Sequence, residues 1–171
     1  NVKPGQEVVV QSPVECASFA RVVVAEAYDA GAGHVTVIWA DDAVTRLTYE
    51  HVEKSYFEQT PEWKRMQLDS LAQDGACFIF IEGADPAALK GIDPAKPAAA
   101  SKARNTQCKI FRRGLDYNIN PWCIAGAPVV AWAREVFSDD PDEVAVYKLW
   151  NAILHTARAD GQDPERSEEH T

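Results

Sequence analysis

Short apolar runs alternate along the chain with longer segments in which apolar residues recur every three or four positions. The runs predict β-strands at residues 7–11, 35–39, 76–81 and 122–125. Every position from 76 to 81 is apolar, which is typical of a strand covered on both faces in a parallel sheet. The alternation predicts an α/β fold, with a mainly parallel sheet of about four strands flanked by helices.

Capping residues beside prolines mark the predicted helix starts. Ser12 and Pro13 predict the start of the first helix, with Ser12 as its N-cap, and the glycines at 31 and 33 predict its end. Asp140 is predicted to cap the last helix. The other helices are predicted at 60–71, 94–113 and 128–137, with part of 41–59 also helical.

The last predicted helix carries an apolar stripe. The spacing of its members places them on one helix face: Val146, Leu149, Trp150, Ile153, Leu154 and Ala157. We expect the stripe to pack on the sheet, and the alternative is a partner helix or a neighbouring domain. The side of the helix around Trp150 is the candidate for a surface that meets a second domain.

Composition and charge restrict the classes of function. The 171 residues are 46% hydrophobic and 25% charged, which is ordinary for a globular domain, and the formal net charge is −9. This charge argues against general binding to nucleic acid or to anionic membranes. No apolar run approaches the roughly 20 residues of a membrane span. The pattern of a secretory signal is absent, so we expect a cytoplasmic protein.

The turn after the first strand argues against a nucleotide site. In Rossmann-like domains this turn is rich in glycine, because the backbone must approach a pyrophosphate closely. Residues 11–15 contain no glycine, and the glycines at 31 and 33 precede a strand instead. The sequence therefore predicts Rossmann-like layering without a nucleotide-binding glycine loop.

Motifs for metal binding and for nucleophilic catalysis are also absent. The sequence contains no CxxC, HExxH or GxSxG. Cys16 lies near the start of the first helix, where the helix dipole would lower the thiol pKa, but a packed cysteine is the preferred interpretation. Cys77 and Cys123 lie in apolar runs and are predicted to be buried, reduced thiols. We expect no complete active site within this segment.

The last six residues, 166–171, have an unusual sequence. They read Arg-Ser-Glu-Glu-His-Thr, the in-frame translation of AGATCGGAAGAGCACACG, a widely used sequencing adapter. We expect these residues to derive from the adapter and the natural domain to span residues 1–165 of a longer protein.

An ordered series of motifs resembles the N-terminal part of the aminopeptidase T/AmpS/PepS family, the thermophilic metalloproteases of family M29. The matching residues include Pro4-Gly5-Gln6, Ala27-Tyr28, Ala30-Gly31-Ala32, Trp39-x-Asp41, Pro61-x-Trp63, Gly83-x-Asp85-Pro86, Gly91-x-Asp93-Pro94, Trp132-Ala133, Leu149-Trp150 and Arg158-x-Asp160. Each motif is short, and their order along nearly the whole chain makes the resemblance specific.

The resemblance implies a cytoplasmic, homodimeric aminopeptidase that acts on peptides. Two divalent ions such as zinc or cobalt would activate water, with their ligands in a C-terminal domain that follows this segment. The resemblance therefore assigns no catalytic, cofactor or metal residue here, and the segment alone is expected to be inactive. Asp41, Asp42 and Arg46 match a polar motif after the second strand and are expected at the cleft between the domains.

Two other functions remain open from the residues alone. The first alternative is a stand-alone α/β interaction or dimerisation module, which predicts a folded oligomer. The second is a doubly wound domain that binds a small ligand. The second alternative predicts thermal stabilisation by a nucleotide.

Overall fold

The computed structural model describes residues 2–159 and 161, and in this part of the chain four parallel strands form one sheet. The strands are β1 (Glu7–Pro13), β2 (His34–Ala40), β3 (Cys77–Glu82) and β4 (Trp122–Gly126), in the spatial order β2-β1-β3-β4. The predicted parallel α/β sheet is therefore confirmed. The expectation for residues 166–171 lies outside the described residues.

Helices pack on both faces of the sheet and leave part of β4 exposed. They are α1 (Ala17–Asp29), α2 (Asp42–His51), α3 (Glu62–Gln73), α4 (Ala95–Gln107), α5 (Lys109–Asp116), α6 (Val130–Val136) and α7 (Asp142–Thr156), with 3-10 turns at Val14–Cys16 and Lys54–Glu58. Alternate residues of β1 divide the core, because neighbouring side chains on a strand point to opposite faces. Val8 and Val10 pack with α1, and Val9 packs with α3 and α5. No helix in the described ranges has the length and apolar character needed to cross a membrane.

The first helix begins later than the sequence predicts. Ser12 and Pro13 continue β1, and the chain then makes a 3-10 turn before α1 starts at Ala17. The prediction of Ser12 as N-cap is wrong, because its hydroxyl donates to the carbonyl oxygen of Pro13 at 3.0 Å. The strand pairing of residues 12 and 13 with β2 holds them extended. The helix-capping interpretation accounted only for local sequence.

The end of α1 is as predicted. Gly31 has a φ of +95°, a conformation that glycine adopts without steric cost. The N–H of Ala32 donates to the carbonyl of Ala27 at 3.0 Å, and the N–H of Gly31 donates to that of Tyr28 at 2.9 Å. These two bonds form a Schellman motif, in which Gly31 ends α1.

The single helix predicted at 94–113 is instead two helices. The backbone of Cys108, with a ψ of 67°, separates α4 from α5, and α5 continues to Asp116. Asp140 does not cap α7, because its carboxylate accepts hydrogen bonds from Lys148 at 2.6 and 2.8 Å. Cys77 is buried as predicted, but Cys123 is exposed, because β4 lies at the edge of the sheet.

The apolar stripe of α7 packs mainly on other helices. Ala145 and Leu149 are buried against Ala133 of α6. The ring of Trp150 packs edge-on against Phe19 of α1, with 5.3 Å between the ring centroids. The candidate surface around Trp150 is thus already occupied within this domain.

Candidate functional site

A crevice opens where the parallel strands end. The chain leaves β1 towards β2 on one side and leaves β3 towards β4 on the other, and ligand sites of open α/β sheets lie at this reversal. A cavity of about 570 Å³ is present here. Its polar lining consists of Glu15, Asp42, Arg46 and Asp85, and Val129, Val130 and Val146 form an apolar wall. This crevice is the candidate functional site.

Two of the three residues predicted to lie at a cleft are in this crevice. Asp42 and Arg46 lie one turn apart on α2 and both line the cavity. Asp41 has a different role, since its Oδ1 atom accepts the N–H of Val44 at 3.0 Å and caps α2. Asp42 and Arg46 thus share the crevice, whereas Asp41 fixes the start of α2. The expectation that these three residues face a cleft between two domains stays a prediction.

Asp42 and Arg46 bind the loop that follows β3. The Oδ2 atom of Asp42 accepts the N–H of Asp85 at 3.1 Å. The Nη1 atom of Arg46 donates to the carbonyl oxygens of Ala88 at 2.9 Å and Lys90 at 3.0 Å. A guanidinium carries several donors in a fixed plane, so one side chain satisfies two carbonyls. The two residues therefore hold residues 83–91 against α2 and shape one wall of the crevice.

The crevice is electrostatically negative near its floor. Burial of Cys16, together with the charges of Glu15 and Asp42, raises the pKa of its thiol. The sequence argument that a helix start would lower this pKa is therefore wrong. The Sγ atom lies 3.9 Å from the carbonyl oxygen of Ala127. Cys16 is a buried, packed thiol, which agrees with the preferred interpretation.

Gly83 allows close packing at the base of the crevice. A Cβ atom at this position would lie 2.4 Å from the carbonyl oxygen of Ala127 and 2.6 Å from the Sγ of Cys16. Only a residue without a side chain fits there. The sequence analysis did not assign Gly83, Glu15 or Asp85 to the site. Each of them follows the carboxyl end of a predicted strand, and that location was the signal that could have indicated them.

The described residues do not fit the metal ions that the sequence resemblance implies. Within residues 2–159 and 161, no group of three or more His, Cys, Asp or Glu side chains is arranged to hold a metal. His34 pairs with Glu7 at 3.0 Å, at the opposite, amino-terminal end of the sheet. Two carboxylates of the crevice accept backbone N–H groups of the loop after β3: Asp42 accepts that of Asp85, and Asp85 accepts that of Ala87. The residues of the crevice therefore offer no metal centre of this kind.

Comparisons with known proteins agree on one family. Residues 1–170 match the family described as "Thermophilic metalloprotease (M29)". Aminopeptidase AmpS of Bacillus subtilis is 37% identical over 164 residues, which are 96% of this chain and 40% of that protein. Aminopeptidase 2 of Geobacillus stearothermophilus is 35% identical over the same share of each chain.

A solved structure agrees as well. Wild-type AmpT from Thermus thermophilus superposes with a TM-score of 0.85 at 30% identity, covering 99% of this chain and 41% of that one. The chain thus spans about 40% of the length of the curated relatives it matches. It belongs to the thermophilic metalloprotease family M29, in which it corresponds to the N-terminal domain of the aminopeptidases.

Proposed function

We propose that this chain is the N-terminal, non-catalytic domain of a metal-dependent aminopeptidase that removes N-terminal residues from peptides. One observation carries the proposal: the family match extends over residues 1–170, yet it accounts for only about 40% of relatives that are named aminopeptidases. The domain comprises residues 1–165 in this proposal, and the remaining polypeptide performs the chemistry.

Two divalent metal ions, zinc or cobalt, belong to that remaining polypeptide. The proposal is supported by the donor set of this domain, whose described residues include no cluster able to hold a metal. Such ions would supply an activated water and polarise the peptide carbonyl. The domain itself contributes the crevice, in which Asp42 and Arg46 fix the loop after β3 and face the cleft between the domains. The resemblance to the family extends the proposal to a cytoplasmic homodimer.

Peptidase assays of two proteins test this function. The 171-residue chain should not hydrolyse leucine- or alanine-p-nitroanilide with zinc or cobalt added. The longer polypeptide, obtained by sequencing the source DNA beyond the codon for Glu165, should hydrolyse them and lose activity with a chelator. Aminopeptidase T of Thermus thermophilus serves as the positive control. Metal-dependent turnover by the pure 171-residue chain, or a metal-loaded longer polypeptide without activity, would contradict the proposal.

A further inference from the structure

Strand β4 is apolar on both faces and remains exposed. Ile124 is 60% exposed and Trp122 is 44% exposed, whereas Phe78, their neighbour on β3, is fully buried. The register pairs Phe78 with Trp122 and Phe80 with Ile124, so these side chains share one face of the sheet. Parallel strands with apolar residues on both faces are normally covered on both sides. This part of the sheet therefore lacks a covering layer within the described residues.

The edge of β4 is also open. In the described part of the chain the sheet ends at β4, which pairs with β3 along one side alone. The other side presents backbone N–H and C=O groups without a neighbouring strand. Proteins usually protect such edges with charge, proline or a covering element, because an open edge pairs readily with another strand. The sequence Trp122–Gly126 contains neither a charge nor a proline.

A groove runs over the exposed face beside this edge. Its volume is about 500 Å³. Phe80, Trp122 and Ile124 form an apolar floor on the strands, and Phe111 and Leu115 of α5 form one wall. Charges of both signs surround the floor, namely those of Glu82, Arg104, Arg112 and Asp116. An apolar floor with a mixed polar rim is typical of a surface that another part of a protein covers.

We propose that the edge of β4 and this groove, together the β4 surface, dock the remaining polypeptide of the same protein. A strand from that part pairs with β4 and extends the sheet, and an apolar segment next to it covers Ile124. This inference rests on the proposed function, in which the domain works within a longer chain. We choose the remaining polypeptide as the occupant because of its length: more than half of each curated relative lies outside the region that this chain matches.

A second copy of the chain fits the β4 surface less well. Two copies that pair through β4 around a twofold axis would form one larger sheet. Their Ile124 side chains would then lie on the same face of that sheet, so the exposed apolar area would double and remain uncovered. The open groove therefore favours an occupant that supplies both a strand and a covering layer.

Hydrogen exchange of the β4 amides tests the proposal. Those amides of 122–126 that do not pair with β3 should exchange at least about 100-fold more slowly in the longer polypeptide than in the 171-residue chain, because pairing closes the open edge. The chain alone should sediment as a monomer. Equal exchange in the two proteins would overturn the proposal, and so would protection of β4 in a dimer of the 171-residue chain.

A pair of matched variants supplies a second measurement. Ile124→Asp should lower the thermal midpoint of the longer polypeptide and leave that of the 171-residue chain unchanged, since only the former covers this side chain. Val22→Asp, at a position of 55% exposure on α1, is the control and should have little effect in either protein. Equal effects of the two variants in the longer polypeptide would count against the β4 surface. If Ile124→Asp does not fold there, the exchange of the unaltered proteins still decides.

These results are independent of the catalytic proposal. A longer polypeptide that protects β4 but hydrolyses no peptide would support the β4 surface and contradict the proposed activity. An active longer polypeptide with unprotected β4 amides would support the proposed activity and contradict the β4 surface.

Discussion

The carboxylate of Asp69 on α3 accepts the backbone N–H of Phe111 at the start of α5, 42 residues later, at 3.0 Å. The same Oδ1 atom accepts the N–H of Ile110 at 3.1 Å. Cys108, which precedes α5, supplies no side-chain cap. The first N–H groups of a helix lack intrahelical partners, and a buried one without a partner is destabilising. The side chain of Asp69, on α3, therefore provides the hydrogen bonds that cap the N-terminus of α5.

Replacement of Asp69 should destabilise the domain substantially. Asp69 is 7% exposed, and in Asp69→Ala two N–H groups at the start of α5 lose their acceptor. We expect the free energy of unfolding to fall by about 1.5–3 kcal/mol, as for hydrogen bonds to charged groups. Urea denaturation measures the change. Asp74→Ala, at an exposed position after the same helix, is the control, and an equal effect of the two variants would show that the cap is unimportant.

Replacement of Gly114 by alanine should also destabilise the domain. A Cβ atom there would lie 2.1 Å from the Oδ1 atom of Asn120, whose buried side chain donates to the carbonyls of Ala72 and Ala76. These two hydrogen bonds fix the side-chain amide of Asn120, so the amide cannot move away from an added Cβ atom without losing one of them. Gly114→Ala should cost about 1–3 kcal/mol, as overpacking does. In Gly126→Ala the added atom meets Ile153 at an ordinary 3.6 Å, and this control should unfold at nearly the wild-type urea midpoint.

Elements set by local pattern are predictable from this sequence. The apolar run of β3 and the glycine that ends α1 carry their structural meaning within a few residues, and both predictions are confirmed. The predictions for Ser12 and for a continuous helix at 94–113 are wrong for one shared reason. Strand pairing with β2 and the distant carboxylate of Asp69 override the local preference, and neither contact is visible in a window of ten residues.

The candidate site is predictable only in part. Asp42 and Arg46 follow a strand, and the carboxyl ends of parallel strands meet at one edge of the sheet, so their place in the crevice follows from the pattern. Glu15 and Asp85 come to the same crevice from other strands. Their convergence depends on the strand order β2-β1-β3-β4, which the sequence analysis does not give.

Cysteine reactivity should separate one thiol from the other three. Cys123 is exposed, while Cys16, Cys77 and Cys108 are buried. Partial desolvation raises the thiol pKa of all four, so accessibility and not the pKa separates Cys123 from the rest. Under native conditions a thiol reagent should modify one cysteine rapidly, because it reaches only the exposed thiol, and it should modify all four after unfolding. Cys123→Ser should abolish the rapid phase, and Cys77→Ser should leave it. Rapid loss of two or more thiols from the native chain would contradict this arrangement.

Glu7 should make part of the stability dependent on pH. Its partial burial would raise the carboxyl pKa, but hydrogen bonds from Thr36 at 2.6 Å and from His34 hold the pKa below its ordinary value. A pKa lowered by folding stabilises the protein above the unfolded value of about 4.3, and this contribution is lost as the pH falls through the folded pKa. Glu7→Gln should therefore be less stable than wild type at pH 7, and the gap should narrow at pH 3.

Urea midpoints at the two pH values measure this effect, and Glu26→Gln on the exposed side of α1 is the matched control. The control should show the same small difference from wild type at both pH values. A gap for Glu7→Gln that stays constant between pH 7 and pH 3 would exclude a contribution from this carboxylate.

Arg46 should control the order of the loop that forms one wall of the crevice. In Arg46→Ala the carbonyls of Ala88 and Lys90 lose their shared donor, and the ion pair with Glu50 at 2.8 Å is lost as well. These groups are partly exposed, so we expect global stability to change by less than about 1 kcal/mol. Local opening has its own free energy, so amide exchange in residues 84–91 should rise several-fold while the strands stay protected. Arg21→Ala, at an exposed position on α1, should leave this exchange unchanged. Equal exchange in both variants would mean that Asp42 alone holds the loop, and the crevice wall would then depend on its single hydrogen bond to Asp85.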